Sequence, residues 1–160
     1  MPETNGFEPD ITAFACIYCA YTAADIAGAT HTEYPANVKV IKLPCTGKID
    51  TIYMLKAFEK GADAVFVAGC TIGNCHHLEG NLRATRRVQY AKQLLDQTGV
   101  GGERLDIFYM SGGQATEFAN AAIIMNERAK KLGPSPLKKG IRESGNQRSE
   151  KSRFPDFLIP

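Results

Sequence analysis

The sequence predicts an α/β fold: a four-stranded, mainly parallel sheet with helices on both faces, layered as in flavodoxin-like and Rossmann-like domains. The first observation is a regular alternation of short apolar runs with longer amphipathic stretches, which is the pattern of β-α-β units. The second is that the apolar runs are almost continuous, as in strands buried on both sides. The third is the length of 160 residues, which suits one domain with its own core.

The predicted elements follow one another in a simple order. The strands are residues 11–16, 38–43, 64–68 and 105–110, and the helices are residues 20–27, 50–59, 78–98 and 114–132. The first helix is rich in alanine and is predicted to end at Gly28. Asp50 can cap the second helix and Gly61 can end it, whereas Gly133 and Pro134 stop the fourth.

The third predicted helix has a recognisable apolar side. The side chains expected to face the core are Leu82, Tyr90, Ala91, Leu94 and Leu95. Arginines and a lysine lie on its polar side, as in an amphipathic surface helix.

Composition divides the chain into three parts. Residues 1–10 are predicted to be a loose leader, and residues 11–133 form the body, which is close to neutral. Residues 134–160 form a basic tail with six basic and three acidic side chains. Its apolar end, from Phe154 to Pro160, is suited to docking on a partner, although a terminus without a role explains it equally well.

Charge and hydropathy exclude several classes of protein. A neutral body lacks the basic face that a nucleic-acid partner requires. No apolar run reaches the roughly 18 residues of a membrane-spanning helix. The first ten residues carry acids and no basic side chain, unlike a secretory signal. We therefore expect a cytoplasmic protein without nucleic-acid or membrane partners.

All of the cysteines lie at the ends of predicted strands or just beyond them. They are Cys16, Cys19, Cys45, Cys70 and Cys75. Because the carboxyl ends of parallel strands meet at one edge of a sheet, the fold should gather three distant loops at a single rim, where such sheets bind ligands.

The chemistry of five thiols in a chain of this size favours a metal centre. A reducing cytosol disfavours structural disulfides, and thiolates are good ligands for soft iron. Four of them hold a 2Fe–2S or 4Fe–4S cluster, so that one of the five is surplus. Gly47, Gly69 and Gly73 lie beside the cysteines and allow the backbone to approach a cluster closely.

Other interpretations of the cysteines compete with an iron–sulfur cluster. A zinc-stabilised interaction module is one, but paired zinc knuckles usually have two-residue gaps, and four residues separate Cys70 from Cys75. A thiol–disulfide oxidoreductase using Cys16 and Cys19 leaves the other three unexplained. A phosphatase-type nucleophile at Cys45 lacks the arginine expected at Thr51.

Neither histidines nor carboxylates complete a catalytic site. His76 and His77 are adjacent and cannot easily face one iron, so we expect helix-start hydrogen bonds or an interface contact. No Ser/His/Asp arrangement, P-loop or dinucleotide fingerprint is present. The acidic residues expected to be helix caps or surface charges are Asp25, Asp50, Asp63 and Glu79. The sequence therefore offers ligands for an electron-carrying centre and no catalytic residues.

Several motifs together resemble a known family. They are Cys16-Ile-Tyr-Cys19-Ala-Tyr-Thr-Ala-Ala-Asp25-Ile-Ala-Gly28, Tyr34-Pro-Ala-Asn-Val38, Leu43-Pro-Cys45-Thr-Gly47-Lys-Ile-Asp50, Leu55-Lys-Ala-Phe-Glu-Lys-Gly-Ala-Asp63 and Ala68-Gly-Cys70-x4-Cys75-His76-x-Leu78-Glu-Gly-Asn81. They are similar to the delta (iron–sulfur) subunit of methyl-viologen-reducing hydrogenase. The resemblance extends from residue 11 to about residue 134.

The resemblance implies a small 2Fe–2S protein that carries electrons. In that family it connects a hydrogenase or formate dehydrogenase to the flavin subunit of heterodisulfide reductase, which couples the transfer to ferredoxin reduction by electron bifurcation. The setting is the cytoplasm of methanogenic archaea and some anaerobic bacteria. All five family cysteines are present, and the resemblance does not tell which four of them bind the cluster.

The chain departs from the family pattern at two places. Residues 71–74 read Thr-Ile-Gly-Asn where a histidine and an acidic residue are expected, and the tail after Pro134 is longer than expected. The first difference should tune the cluster or the docking face, and the second suggests an additional partner contact.

Overall fold

The computed structural model describes residues 6–138 and confirms the predicted α/β fold. The strands are β1 (Ile11–Cys16), β2 (Val38–Leu43), β3 (Ala64–Gly69) and β4 (Leu105–Tyr109). The helices are α1 (Ala20–Ala29), α2 (Thr51–Glu59), α3 (Gly80–Gln97) and α4 (Ala115–Leu132). The four strands form one parallel sheet in the order β2-β1-β3-β4. Within residues 6–138, no helix has the length and hydropathy needed to cross a bilayer.

Two separate cores sandwich the sheet, because successive side chains of a strand point to opposite faces. On β3, Phe66 packs into the core formed with α1 and α4, which also contains Phe118. Its neighbours Val65 and Val67 pack into the opposite core with α2 and α3. Burying side chains of this size contributes roughly 1.5–3 kcal/mol each, so both faces hold the sheet in place.

Helix α3 differs from the prediction in its start and in its buried face. Leu78 has a φ of 65°, which lies outside the helical region, and the helix begins at Gly80. Leu82 and Tyr90 are 41% and 56% exposed, contrary to the prediction. The buried residues are instead Gly80, Asn81, Ala84, Val88, Ala91 and Leu95. Small residues at helical spacing bring this helix close to the sheet and leave the bulkier ones outside.

The predicted cap of α2 and the predicted stop of α4 are confirmed, whereas the end of α1 differs from the prediction. Asp50 precedes α2, and its carboxylate accepts the N–H of Ile52 at 3.3 Å, as an N-cap does. Gly133 follows α4 with a φ of 73°, a value that suits glycine. Helix α1, however, passes through Gly28 and ends at Ala29.

Asp63 is a buried anchor, and its prediction as a cap or surface charge was wrong. Its side chain is fully buried and accepts the backbone N–H groups of Asp10 at 2.7 Å and Ser135 at 2.8 Å. The ammonium of Lys138 forms a salt bridge with it. The first residues of the predicted tail, 134–138, are thereby held against the body; the rest of that tail and residues 1–5 lie outside the described residues.

Arg104 ties the same region to the end of α4. Its guanidinium donates hydrogen bonds to the carbonyls of Asp63, Val100, Leu132, Gly133 and Pro134. Burial lowers the pKa of Arg104, and the nearby Asp63 partly offsets that shift. The buried cation is therefore matched by several carbonyl oxygens and one carboxylate, away from the cysteines.

Candidate metal centre

The structure gathers all five cysteines into one cluster beyond the carboxyl ends of the strands. Cys16 is the last residue of β1, Cys70 directly follows β3, and Cys45 follows β2 by two residues. Cys19 precedes α1, and Cys75 lies in the loop between β3 and α3. Every thiol is free, and all except Cys19 are buried. The parallel sheet thus brings together loops that are up to 59 residues apart in sequence.

The thiols form two neighbouring groups. Cys70 lies in the first group, where its sulfur is 3.7 Å from that of Cys16 and 2.9 Å from that of Cys19. Cys45 and Cys75 contact each other and form the second group, beside Gly80. A Cβ atom built on Gly80 would lie 2.3 Å from the sulfur of Cys45 and 3.1 Å from that of Cys75. Glycine at position 80 therefore leaves the space that these two sulfurs occupy.

Backbone N–H groups surround the second group of sulfurs. The N–H of Gly47 donates to the sulfur of Cys45 at 3.3 Å. Burial alone would raise the pKa of Cys75, but hydrogen bonds from the backbone N–H groups of His77, Asn81 and Gly80 outweigh it and lower that pKa. The amino end of α3 therefore favours a thiolate at this position.

The remaining thiols are held in their neutral form by burial. Burial and, to a lesser extent, the hydrogen bond with Cys19 raise the pKa of Cys70 to about 11. Burial is also the main reason for the raised pKa values of Cys16, Cys19 and Cys45. A bound metal reverses this preference, because a coordinating thiol loses its proton outright.

Two side chains that the sequence prediction did not select fix the cysteine loops. Asn81 is fully buried, and its amide nitrogen donates to the carbonyls of Cys70 at 3.0 Å and Thr71 at 2.9 Å. Arg87 donates to the carbonyls of Gly47 at 2.9 Å and Ile49 at 2.7 Å, which braces the loop of Cys45. The available signal for Asn81 was a polar residue at the start of a helix that immediately follows a cysteine loop.

Thr46 presents a buried hydroxyl beside the site. Its oxygen has no hydrogen-bond partner among the described residues, and it lies 3.1 Å from the position of a Cβ built on Gly69. An unpaired buried hydroxyl costs about 1–3 kcal/mol. Thr46 follows Cys45 in sequence and lies against Gly69, the residue before Cys70. This position suits a hydrogen bond from the hydroxyl to a sulfur atom of a bound group.

The histidines face outward. The ring of His76 stacks on Tyr18 with centroids 3.9 Å apart, and the ring of His77 lies edge-on to Tyr18 at 5.8 Å. Both histidines are exposed. Aromatic contacts therefore link the loop between Cys16 and Cys19 to the start of α3.

The donor atoms fit a soft metal, although the thiols are not yet arranged around one. Within residues 6–138, no group of three or more potential ligands is already at metal-binding geometry. Two thiolates on one tetrahedral metal lie roughly 3.8 Å apart, which matches Cys16 and Cys70 but not Cys19 and Cys70. An all-sulfur set with glycine clearance and N–H donors suits iron–sulfur or zinc chemistry rather than calcium or magnesium.

Comparison with known proteins gives a consistent result. The family model described as "Methyl-viologen-reducing hydrogenase, delta subunit" matches residues 11–133. The vhu iron-sulfur subunit of the F420-non-reducing hydrogenase of Methanocaldococcus jannaschii is 52% identical over 131 residues, which cover 82% of this chain and 98% of that protein. The subunit of the same name from Methanococcus maripaludis is 53% identical with the same coverage.

A longer protein contains a related segment. One subunit of the ferredoxin:CoB-CoM heterodisulfide reductase of Methanosarcina mazei is 32% identical over 139 residues, which cover 86% of this chain but 18% of that protein. A segment similar to almost the whole chain is therefore part of a much larger polypeptide there. With its body matched from residue 11 to residue 133, the chain belongs to the delta-subunit family of methyl-viologen-reducing hydrogenase.

Proposed function

We propose that this chain carries a 2Fe–2S cluster and relays electrons between a hydrogenase or formate dehydrogenase and the flavin subunit of heterodisulfide reductase. The relay would operate in a cytoplasmic, electron-bifurcating complex. The observation that carries the proposal is the gathering of five thiols from three loops at one rim of the sheet. The proposed role is electron transfer, without bond chemistry on a substrate of its own.

The two thiol groups suggest how the ligands are divided. A 2Fe–2S cluster takes two thiolates on each iron. Cys45 and Cys75, which flank Gly80, would serve one iron. Two of the three thiols around Cys70, which are Cys16, Cys19 and Cys70 itself, would serve the other. The surplus thiol then belongs to the group around Cys70.

The surrounding residues would hold and tune the cluster. A bound 2Fe–2S cluster supplies one-electron oxidation and reduction. The N–H groups of Gly47 and Gly80 lie beside the sulfurs, and such hydrogen bonds stabilise the added negative charge of the reduced state. Asn81 and Arg87 keep the two loops in place through backbone carbonyls. Burial of four thiols limits the contact of the centre with water.

The relatives support the choice of partners. Members of the family are named as iron–sulfur subunits of hydrogenases, and a similar segment occurs inside a polypeptide of heterodisulfide reductase. Similar domains therefore occur in a hydrogenase and in a heterodisulfide reductase. Such a domain is suited to carrying electrons between the two enzymes. Fusion to the reductase polypeptide in one relative supports a direct contact with the reductase in this chain.

Single cysteine variants test the proposal most sharply. Each of the five cysteines is replaced with serine, and hydrogen- or formate-dependent reduction of heterodisulfide reductase is measured in the reconstituted complex. Cys45→Ser and Cys75→Ser should lose both iron and electron transfer, whereas one variant among Cys16, Cys19 and Cys70 should keep both. Zinc in place of iron, or full electron transfer in all five variants, would contradict the proposal.

A further inference from the structure

A cavity opens directly onto the candidate metal centre. It has a volume of about 390 Å³, and the sulfur-bearing residue Cys45 and Gly80 are part of its wall. A larger groove of about 710 Å³ runs between β2 and α2, and no cysteine lines it. The smaller cavity therefore gives a partner access to the second group of thiols.

The wall of this cavity is predominantly cationic. Lys48, Arg83 and Arg87 line it together with a single carboxylate, that of Asp50. Within residues 6–138, none of the three cations forms an ion pair with a carboxylate. Asp50 already accepts an N–H group at the start of α2. We call the surface of Lys48, Arg83 and Arg87 the basic groove.

An apolar and aromatic lip borders the basic groove. His77 lines the cavity and also contacts Tyr18, which stacks on His76. Tyr18 is 49% exposed, and Leu78, the next residue after His77, is 85% exposed. We call Tyr18, His76, His77 and Leu78 the lip.

Leu78 is unusual in both its conformation and its exposure. Its φ of 65° places a bulky side chain in the left-handed region, which such residues rarely adopt. Its backbone N–H donates to the carbonyl of Cys75 at 3.0 Å, so the turn holds the residue in this position. A strained backbone that exposes an apolar side chain is explained when a partner protein covers that side chain.

We propose that the lip and the basic groove together form the docking face for an acidic, apolar-centred surface on the flavin subunit of heterodisulfide reductase. The inference rests on the relay function proposed above. Carboxylates of the partner would face the basic groove and steer its approach, because complementary charge accelerates encounter. An apolar spot would cover Leu78 and Tyr18 and exclude water above the thiols.

The test is a stopped-flow measurement of the rate of electron transfer. The chain, loaded with its cluster and reduced, is mixed with the purified flavin subunit of heterodisulfide reductase, and the rate is expressed per cluster. Arg83→Glu reverses one charge of the basic groove, and Lys130→Glu makes the same change on α4, on the opposite side of the sheet. Leu78→Asn removes the apolar side chain with a residue that tolerates a positive φ. Ile124→Asn, at an exposed position of α4, is its control.

Arg83→Glu should slow the second-order rate constant at least about tenfold at low ionic strength, with the difference shrinking as salt is added. Leu78→Asn should slow transfer without lowering the melting temperature, and both controls should match the wild type. If Arg83→Glu and Leu78→Asn transferred electrons as fast as their controls, the docking face would be wrong while the relay function would stand. The same holds if Arg83→Glu were slower but the difference did not depend on salt. A loaded wild-type chain that does not reduce the flavin subunit would overturn the relay function and the docking face with it.

Discussion

Replacing Gly80 with alanine should disrupt the candidate metal centre while leaving the sheet intact. The added Cβ would lie 2.3 Å from the sulfur of Cys45, where ordinary contact requires at least 3.4 Å, so the sulfur must retreat by about 1.1 Å. The sulfur of Cys75 at 3.1 Å and the N–H nitrogen of Gly47 at 3.4 Å limit how far the new methyl group itself can shift. Overpacking of this kind costs about 1–3 kcal/mol.

Two measurements separate the loss of the site from a loss of the fold. Thermal unfolding of the metal-free protein should show a melting temperature that is lower by a few degrees to roughly 10 °C. Iron content after anaerobic reconstitution should fall far more, because a displaced Cys45 sulfur cannot share one iron with Cys75. Far-ultraviolet circular dichroism at low temperature should match the wild type.

Gly28→Ala is the matched control for this variant. Gly28 lies inside α1 with no atom within 4 Å of the added Cβ. Alanine in a helix interior is favoured over glycine by roughly 0.5–1 kcal/mol, so this variant should be slightly stabilised and fully loaded with iron. If Gly80→Ala bound as much iron as Gly28→Ala, the close approach of the two sulfurs would have no role in holding the metal.

Three further perturbations test other parts of the structure. Asn81→Leu leaves the carbonyl of Cys70 unpaired and should lower the free energy of unfolding in urea by about 2–4 kcal/mol. Arg104→Met removes the donor for five carbonyls and should cost more than about 3 kcal/mol by the same measurement, with iron loading unchanged. Thr46→Val should make the midpoint potential of the loaded protein more negative, since a hydroxyl donor to sulfur stabilises the reduced state; an unchanged potential would show that the hydroxyl does not reach the bound group.

The sheet and the gathering of the cysteines follow from local sequence and one general rule. The apolar run from Ala64 to Gly69 needs no distant information to become a strand buried on both sides. Once the strands are parallel, their carboxyl ends meet at one rim, which places Cys16 beside Cys70 although 54 residues separate them. The prediction of a shared rim therefore depended on topology rather than on cysteine spacing.

The features that were missed depend on partners far away in sequence. Asp63 is buried because Ser135 and Lys138, 72 and 75 residues later, supply its hydrogen bonds. No local pattern distinguishes such an aspartate from a surface charge. The buried face of α3 was missed for a related reason: small residues such as Ala84 pack closely against the sheet, and hydrophobicity alone favoured Leu82 instead.

The arrangement of the thiols in two groups, from which we proposed the ligand division, is equally hidden from the sequence. Cys70 and Cys75 lie on either side of a short loop of four residues, yet their sulfurs belong to different groups. Gly80 lies beside the sulfurs of both Cys45 and Cys75 because α3 begins there and brings its backbone against Cys45. Three-dimensional packing, rather than spacing, therefore suggests the ligand pairs.

Iron and acid-labile sulfide analysis, combined with electron spin resonance, tests the central claim most directly. The protein is purified anaerobically and measured before and after reduction with dithionite. A 2Fe–2S cluster predicts two irons and two sulfides per chain, no resonance signal when oxidised and one unpaired spin when reduced. A colourless protein that contains zinc, or iron without sulfide, would contradict the account.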